Sequence, residues 1–218
     1  MKILSPGVLR ALERFNAAYP WDHNALYHRW ILRQLPERFD HALDVGSGSG
    51  DLARLLAGRA TAVRGVDSDP AITARAQKLT PAALPVTFTV TDAMAEFPSG
   101  SYDVITCVAT IHHLPFAQAL TCFRRHLAPG GTLVIVGLFR ARTPVDHLLG
   151  AVAVPANAAM GWLKNKGRPA LRPDSMTAPT RPADMTFDDI SREAREVLPG
   201  ARLRRRLFWR YTLVWKHL

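Results

Sequence analysis

The chain has 218 residues, of which 48% are hydrophobic, and a formal net charge of +10 at pH 7. A chain of this length buries one sizeable core and is short for two, so we expect a single domain. The first residues lack an apolar run of leader length, and no window approaches the roughly 18 uninterrupted apolar residues of a membrane span. We therefore expect no export signal, no membrane span, and a soluble, cytoplasmic protein.

Secondary-structure patterns begin with two N-terminal helices. Apolar residues recur at helical spacing over residues 8–15 and 25–35. Five short apolar runs then predict strands at 42–45, 62–66, 86–90, 102–108 and 132–136. The intervening patterns predict helices at 52–56, 71–79 and 116–127, and Pro129-Gly130-Gly131 predicts a turn before the fifth strand. Continuous Val, Ile and Leu runs suit a parallel sheet that is covered on both faces.

A long insertion follows the fifth strand. Residues 144–186 interrupt the alternation, with an apolar stretch at 148–160 and a Pro- and Arg-rich continuation. Long insertions in compact domains are usually functional or disordered. The apolar stretch, with Trp162 beside it, fits either a lid over a bound molecule or an ordinary packed helix that Pro155 bends.

The C-terminal segment regains a regular pattern. Thr186, with Asp189 three residues later, forms a weak capping box and predicts a helix that ends at Pro199-Gly200. Residues 202–215 alternate enough to predict two final strands with a turn near Trp209-Arg210.

Positive charge is concentrated at this end of the chain. The arginines are Arg202, Arg204, Arg205, Arg206 and Arg210. Clustered cations displace phosphate counterions and therefore fit a nucleic-acid partner. Arginines at alternate positions also fit the solvent-exposed face of a terminal strand, and the alternation favours this interpretation over a nucleic-acid site.

The two cysteines, Cys107 and Cys122, lie in a strand-like and a helix-like run without partners at zinc spacing. We interpret both as packed thiols and expect no metal site.

A glycine turn is the most informative feature. The segment ALDVGSGSGD, residues 42–51, places alternate glycines between a buried strand and a helix: Gly46, Gly48 and Gly50. Glycines there allow the backbone to turn sharply and to pass close beneath a ligand. Asp67 follows the next strand, where a carboxylate can bind both hydroxyls of a ribose. Asp67 also fits a helix N-cap ahead of Pro70.

Two carboxylates near this turn distinguish between cofactors. A dinucleotide-binding turn reads G-x-G-x-x-G, and Asp51 occupies the position of its last glycine. Asp44 is an awkward neighbour for phosphate but a suitable one for the ammonium of a methionine moiety. The pattern favours a cationic, phosphate-free nucleoside over NAD. Asp44 equally fits a role in organising the turn.

The ordered motifs over residues 42–139 resemble those of class I S-adenosylmethionine (SAM)-dependent methyltransferases. The matching segments are ALDVGSGSGDLA, VRGVDSDP, Thr91-Asp92-Ala93, SYDVITCVATIHHL and LAPGGTLVIVGLF. The resemblance implies an α/β, Rossmann-like fold with a mostly parallel seven-stranded sheet, an antiparallel C-terminal strand and helices on both faces.

The same resemblance implies which residues bind SAM. Asp67 is expected at the ribose, and Asp92 at the adenine amino group with the backbone of Ala93; Asp92 also fits a plain turn residue. The full set is Asp44, Gly46, Ser47, Gly48, Gly50, Asp67, Ser68, Asp92, Ala93 and Val108.

The flanks YPWDHNALYHRWILRQLP and LPGARLRRRLFWRYTLVWKH are similar to actinobacterial small-molecule methyltransferases of the ubiquinone/menaquinone-methylase type. This similarity implies a division of the single domain into lid helices at 1–38, a SAM-binding core at 39–139, an acceptor-capping insert at 140–186, and a C-terminal helix and strand pair at 187–218.

Candidate catalytic residues lie at two places. His113 follows strand four at the edge of the sheet where ligands bind, and it is the first candidate for proton transfer, ahead of His112. Both histidines also fit a role in shaping the pocket. His23 and Tyr27, with Asn24, lie on the predicted lid and fit the orientation of methionine or acceptor, or a capped helix start with solvent-facing histidines.

These features predict transfer of a methyl group from SAM to an O, N or C atom of a small-molecule acceptor, in specialised metabolism. One alternative is an RNA or DNA methyltransferase that uses the basic C-terminus, although the chain lacks a [DNS]PP[YF] motif after strand four. The other is a protein that binds SAM without methyl transfer. The oligomeric state is left open.

Overall fold

The computed structural model describes residues 6–171, 173 and 181–218. Within these residues one sheet has the strands β1 Phe39–Val45, β2 Ala60–Asp67, β3 Val86–Val90, β4 Tyr102–Val108, β5 Leu127–Leu138, β6 Arg202–Arg206 and β7 Arg210–Lys216. The helices are α1 Pro6–Ala18, α2 Ala25–Leu32, α3 Asp51–Leu56, α4 Pro70–Leu79, α5 Phe116–His126, α6 Pro144–Lys164 and α7 Phe187–Val197, with a 3-10 turn at Ile111–His113.

The strand order is β3-β2-β1-β4-β5-β7-β6, and β7 runs antiparallel to both of its neighbours. The predicted Rossmann-like fold with an antiparallel C-terminal strand is therefore confirmed. This order reverses between β1 and β4, and open α/β sheets bind ligands at such a point, beyond the carboxyl ends of the strands.

Apolar side chains fill both faces of the sheet. Along β4, Ile105 and Cys107 point into the core beneath α5 and α7, whereas Val104 points into the core that includes residues of α2 and α3. Cys107 is fully buried, and burial raises the pKa of its thiol. Burial on both faces explains why the central strands read as continuous apolar runs.

Two predicted boundaries are wrong. The segment Pro129-Gly130-Gly131 was expected to be a turn, but it belongs to β5 because Gly130 and Gly131 pair with the backbone of His217. The last turn was expected near Trp209-Arg210, but it comprises residues 207–209, and Arg210 already belongs to β7.

The insertion begins with a helix. The apolar stretch lies in α6, a 21-residue helix that contains Pro155. Its inner face packs on Trp21 and Phe208 through Ala153. Residues 172 and 174–180, which belong to the Pro- and Arg-rich continuation, lie outside the described residues.

A buried carboxylate anchors α6 to the C-terminal segment. Asp146 is 3% exposed, accepts hydrogen bonds from the backbone of Arg142 and Thr143, and pairs with Arg205 Nε at 2.9 Å. Arg205 also pairs with Asp188 and stacks over the ring of Phe187 at 4.0 Å. Burial opposes the charge on Asp146, but these hydrogen bonds outweigh it and lower its pKa to about 2.

Replacing Asp146 with Asn should destabilise the protein by about 3 kcal/mol, because the buried carboxylate that pairs with Arg205 becomes a neutral amide and the half-buried guanidinium loses its charged partner. The pKa of Asp146 is lowered to about 2. Its contribution to the free energy of unfolding is therefore complete above its ordinary pKa near 3.8 and is lost as the pH falls through about 2. Urea denaturation at several pH values measures both effects. Asp188→Asn is the matched control: it removes the exposed partner of Arg205 and should cost less than about 1 kcal/mol. Equal costs would contradict the anchoring role of Asp146.

Candidate functional site

A cavity of about 370 Å³ lies beyond the carboxyl ends of β1, β2 and β4. Of the predicted site residues, it is lined by Gly46, Gly48, Asp67, Ser68, Asp92, Ala93, Val108 and His113. Asp44, Ser47 and Gly50 are not among the residues that line it, and neither are His23 and Tyr27. Sequence reasoning missed Thr110 and Asp69, which also line the cavity. The Asp-Pro pair at Asp69, a helix-start signal, was present in the sequence.

The glycine turn is fixed by backbone hydrogen bonds and by close packing. The backbone N–H groups of Gly46 and Ser47 both donate to the Val66 carbonyl, at 2.8 and 2.9 Å. Gly46 has φ +71°, and a Cβ added there would lie 1.9 Å from Thr110 Oγ1. Gly48 has φ +51°, and an added Cβ would meet no atom within 4 Å. The absence of a side chain at Gly46 therefore permits close packing against Thr110, whereas the space beside Gly48 is open.

The carboxylate of Asp67 joins the end of β2 to this turn. Its Oδ2 accepts from the Gly48 N–H at 2.9 Å, and its Oδ1 accepts from the Asp69 N–H at 3.0 Å. The N-cap of α4 is Asp69, which accepts from the Ala71 N–H, so the alternative of Asp67 as N-cap is wrong. Asp67 is thus held at the cavity wall by backbone donors.

Asp44 lies beneath the turn. It is 2% exposed, and Thr106 Oγ1 donates to its Oδ1 at 2.7 Å. Burial raises the pKa of Asp44 to about 7; the nearby charge of Asp67 adds to the rise and the Thr106 hydrogen bond opposes it. Its carboxyl group consequently titrates near neutral pH and is sensitive to any positive charge placed above it.

The electrostatics of the cavity fit a cation. Among the described lining residues are three carboxylates, Asp67, Asp69 and Asp92, and no lysine or arginine. Asp51, which the sequence placed where a pyrophosphate would lie, instead pairs with Arg54 at 2.7 Å. The case against a phosphate ligand therefore rests on the lining carboxylates and not on Asp51.

A second cavity of about 320 Å³ lies on the other side of the 3-10 turn. His113 and Leu114 line both cavities. The second cavity is also bounded by residues 181 and 183–185 and by Tyr211. Two buried polar atoms on residues that line it, His112 Nδ1 and Tyr211 Oη, have no hydrogen-bond partner among the described residues. Buried polar atoms are rarely left unpaired, so this wall fits a ligand with polar groups.

The imidazole of His112 is neutral at physiological pH. Burial, together with His113 and Arg210, lowers its pKa to about 4. The backbone of Arg181 and the charge of Asp184 oppose this decrease. In the described parts of the chain, Nδ1 has no hydrogen-bond partner, and one ring nitrogen of a neutral imidazole carries a free lone pair.

The predicted lid residues contact the insertion and the C-terminal hairpin. His23 Nε2 lies 2.6 Å from Asn157 Oδ1 on α6, and burial lowers the pKa of His23. The Tyr27 hydroxyl donates to the Leu207 carbonyl at 3.1 Å. Asn24 lines the first cavity and accepts from Arg210 at 2.9 Å. In this arrangement Asn24 is the lid residue that reaches the cavity.

Most of the C-terminal arginines are engaged within the protein. Arg205 pairs with two carboxylates, Arg206 donates to Thr212 and lies over the ring of Trp30, and Arg210 donates to Asn24. Arg202 and Arg204 are exposed. Two of the five C-terminal arginines thus lie on the solvent-exposed side of a strand, and the other three make contacts within the protein.

Comparison with known proteins agrees with the geometry. A family model described as a methyltransferase domain matches residues 43–135. An uncharacterised methyltransferase of Mycobacterium tuberculosis is 32% identical over 203 residues, which cover 90% of this chain and 97% of the relative. The chain belongs to the methyltransferase family.

Two further similarities extend this assignment. The ubiquinone biosynthesis O-methyltransferase of Pseudomonas aeruginosa is 29% identical over 177 residues, 78% of this chain and 74% of that protein. The crystal structure of a TehB-like SAM-dependent methyltransferase from Corynebacterium glutamicum superposes with a TM-score of 0.58 at 19% identity, over 97% of each chain, and shows the shared fold. This methyltransferase is SAM-dependent, and the sulfonium and ammonium charges of SAM suit the acidic first cavity.

Gly46→Ala should destabilise the methyltransferase by about 3 kcal/mol, because the new Cβ overlaps Thr110 and φ is left-handed. Gly48→Ala changes the same atoms in open space, so only the φ penalty of about 1 kcal/mol is expected. Urea denaturation of the two variants compares the costs directly. Similar losses would show that Thr110 does not pack against the turn in solution.

Proposed function

We propose that this methyltransferase transfers a methyl group from SAM in the first cavity to the oxygen of a small hydroxylated molecule in the second. One observation carries the proposal: the two cavities share His113 and Leu114 as a wall, and the far cavity is lined by His112 and Tyr211, which each have a buried polar atom without a partner among the described residues. The name of the Pseudomonas relative, an O-methyltransferase, supports an oxygen acceptor.

SAM would be held by residues that line the first cavity. When bound, it supplies a methyl group on a positively charged sulfur, which is activated for displacement. We assign Asp67 to the ribose hydroxyls because its carboxylate is fixed at the cavity wall by two backbone donors. Asp92 and Ala93 are assigned to the adenine, and the Gly46 to Gly48 turn to the methionine moiety.

In the second cavity, His112 would orient the acceptor. Its free Nδ1 can accept a hydrogen bond from an acceptor hydroxyl, which directs an oxygen lone pair toward the shared wall. With a pKa of about 4, this imidazole is a poor base for a phenol of pKa near 10, so we assign it positioning rather than complete proton removal. His113 faces both cavities and remains the alternative proton acceptor.

The lid and insert complete the acceptor site in this proposal. Contacts of Trp21 and His23 with Asn157 tie the N-terminal segment to α6, and Tyr27 ties it to the Leu207 carbonyl. We therefore propose that the described parts of residues 1–38 and 140–186 act together as a cover, with His23 and Tyr27 holding it in place. The metabolic context and the cellular location of the protein stay predictions from the sequence. None of the helices in the described parts of the chain combines the length and the hydropathy of a membrane span.

A nucleic-acid acceptor is supported less well. Binding to a phosphate backbone uses free cations, and Arg205, Arg206 and Arg210 already have partners inside the protein. The second cavity, of about 320 Å³, is sized for a small molecule.

Asp67→Ala should weaken binding of SAM and of its demethylated product by about ten- to 150-fold, because a charged hydrogen-bond acceptor is lost. Isothermal titration calorimetry measures the change. Asp51→Ala is the control: it removes an exposed carboxylate of the same turn that does not line the cavity, and it should leave affinity within about twofold. Unchanged affinity in folded Asp67→Ala, or tight NAD binding without SAM binding, would refute the assignment.

His112→Ala should lower kcat/KM for a hydroxylated acceptor by about ten- to 100-fold and leave SAM affinity unchanged, because one orienting hydrogen bond is lost. At saturating SAM, the ratio of kcat/KM between the wild type and His112→Ala should persist at pH 5 to 6 and decline as the pH falls through about 4, where the imidazole becomes protonated. Pools of candidate acceptors with methyl-labelled SAM identify the substrate first, and a pH profile of kcat/KM follows. A loss of 100-fold or more in His113→Ala, with none in His112→Ala, would transfer the role to His113.

A further inference from the structure

The solvent-facing side of α6 is apolar along nearly its whole length. Its exposed residues include Pro144, Val145, Leu148, Ala151, Val152, Pro155, Ala159, Trp162 and Leu163. Leu148 is 65% exposed and Trp162 is 50% exposed. We call these nine residues the α6 face. At 1.5 Å per residue the α6 face extends for about 30 Å.

This arrangement is unusual for a surface helix, which normally turns its polar side to water. Single exposed apolar residues are common on protein surfaces, but contiguous ones mark interaction sites. The opposite side of α6 is already occupied: Ala153 and Gly161 pack on the protein, and Asp146 pairs with Arg205. The α6 face therefore remains available for a partner.

The exposed charged residues that flank α6 along the chain are all of one sign. Exposed basic residues stand before and after the helix: Arg140, Arg142, Lys164, Lys166 and Arg168. Between residues 140 and 171, all of which are described, the one acidic residue is Asp146, and it is buried and paired. A long apolar stripe with cations at both ends matches the chemistry of an anionic lipid surface, where acyl chains meet negative headgroups.

We propose that the α6 face rests on an anionic phospholipid surface with the helix axis parallel to the membrane. Charge complementarity favours this partner over a second copy of the chain, because a symmetric pairing through α6 would bring two sets of these five exposed cations together. The helix lies on the bilayer and does not span it, in agreement with its hydropathy.

Docking through the α6 face would also place the second cavity close to the lipid surface. Arg140, four residues before α6, donates its N–H to the Met185 carbonyl at 2.8 Å, and Met185 lines that cavity. The second cavity is thereby connected to the lipid-facing helix by a short, hydrogen-bonded segment. An acceptor that partitions into lipid would be concentrated near its binding site.

The test is vesicle flotation with the full chain, without SAM or acceptor, so its outcome does not depend on the proposed function. Vesicles of equal parts phosphatidylglycerol and phosphatidylcholine should bind the protein, whereas pure phosphatidylcholine should bind it at least about tenfold less. Leu148→Gln with Val152→Gln should weaken binding to the anionic vesicles by about tenfold or more, because two apolar anchors are lost. Replacing Lys164, Lys166 and Arg168 with Gln should weaken it by about 100-fold at low salt.

The matched control is Leu55→Gln with Leu79→Gln, which removes two apolar residues of similar exposure from α3 and α4. It should leave vesicle binding unchanged, and thermal melting confirms that both double variants are folded. Equal binding by the α6 double variant and the wild type would overturn the proposal. So would absence of vesicle binding combined with a dimer in analytical ultracentrifugation that the α6 double variant dissociates, which would assign the face to a second copy.

Discussion

The hydrogen bonds that join the carboxyl ends of β1 and β2 determine the geometry on which the site depends. The Val66 carbonyl receives both the Gly46 and Ser47 N–H groups, and the Asp67 carboxylate receives the Gly48 N–H. These bonds hold the glycine turn and the acidic wall in one rigid unit before any ligand arrives. A preformed acidic cavity lowers the cost of ordering the site around a cationic nucleoside.

The segment after β4 transmits this constraint to the second cavity. Thr110 packs against Gly46, so the position of the glycine turn sets the path of the chain toward His112. Ala109 has φ +52°, a conformation that costs a non-glycine residue energy and persists only where the surroundings impose it. Ala109 and Thr110 line the first cavity, and His113 and Leu114, which follow them, line both, so the two cavities lie side by side.

Much of the sheet was predictable because each strand is a short apolar run between turn signals, and the motifs were predictable because they are local. The errors arise from long-range contacts. Gly130 and Gly131 join β5 because His217 pairs with them, which no local pattern reveals. The hairpin turn holds Phe208 and Trp209 at positive φ without the usual Gly or Asn, and Phe208 packs against Trp21. The predicted lid residues likewise found partners on α6 and on this hairpin, elements far away in sequence.

The net charge of +10 is distributed unevenly, and two regions of the protein differ in the sign of their charge. The cavity that fits SAM is lined by carboxylates, whereas the flanks of α6 are basic and free of exposed acids. Of the C-terminal arginines, Arg205 fastens α6 through Asp146, and Arg210 reaches Asn24 at the first cavity. These two arginines therefore attach α6 and the N-terminal segment to the C-terminal hairpin. The exposed cations at the two ends of α6 flank an apolar helix face, and this combination suits a lipid surface better than a nucleic acid.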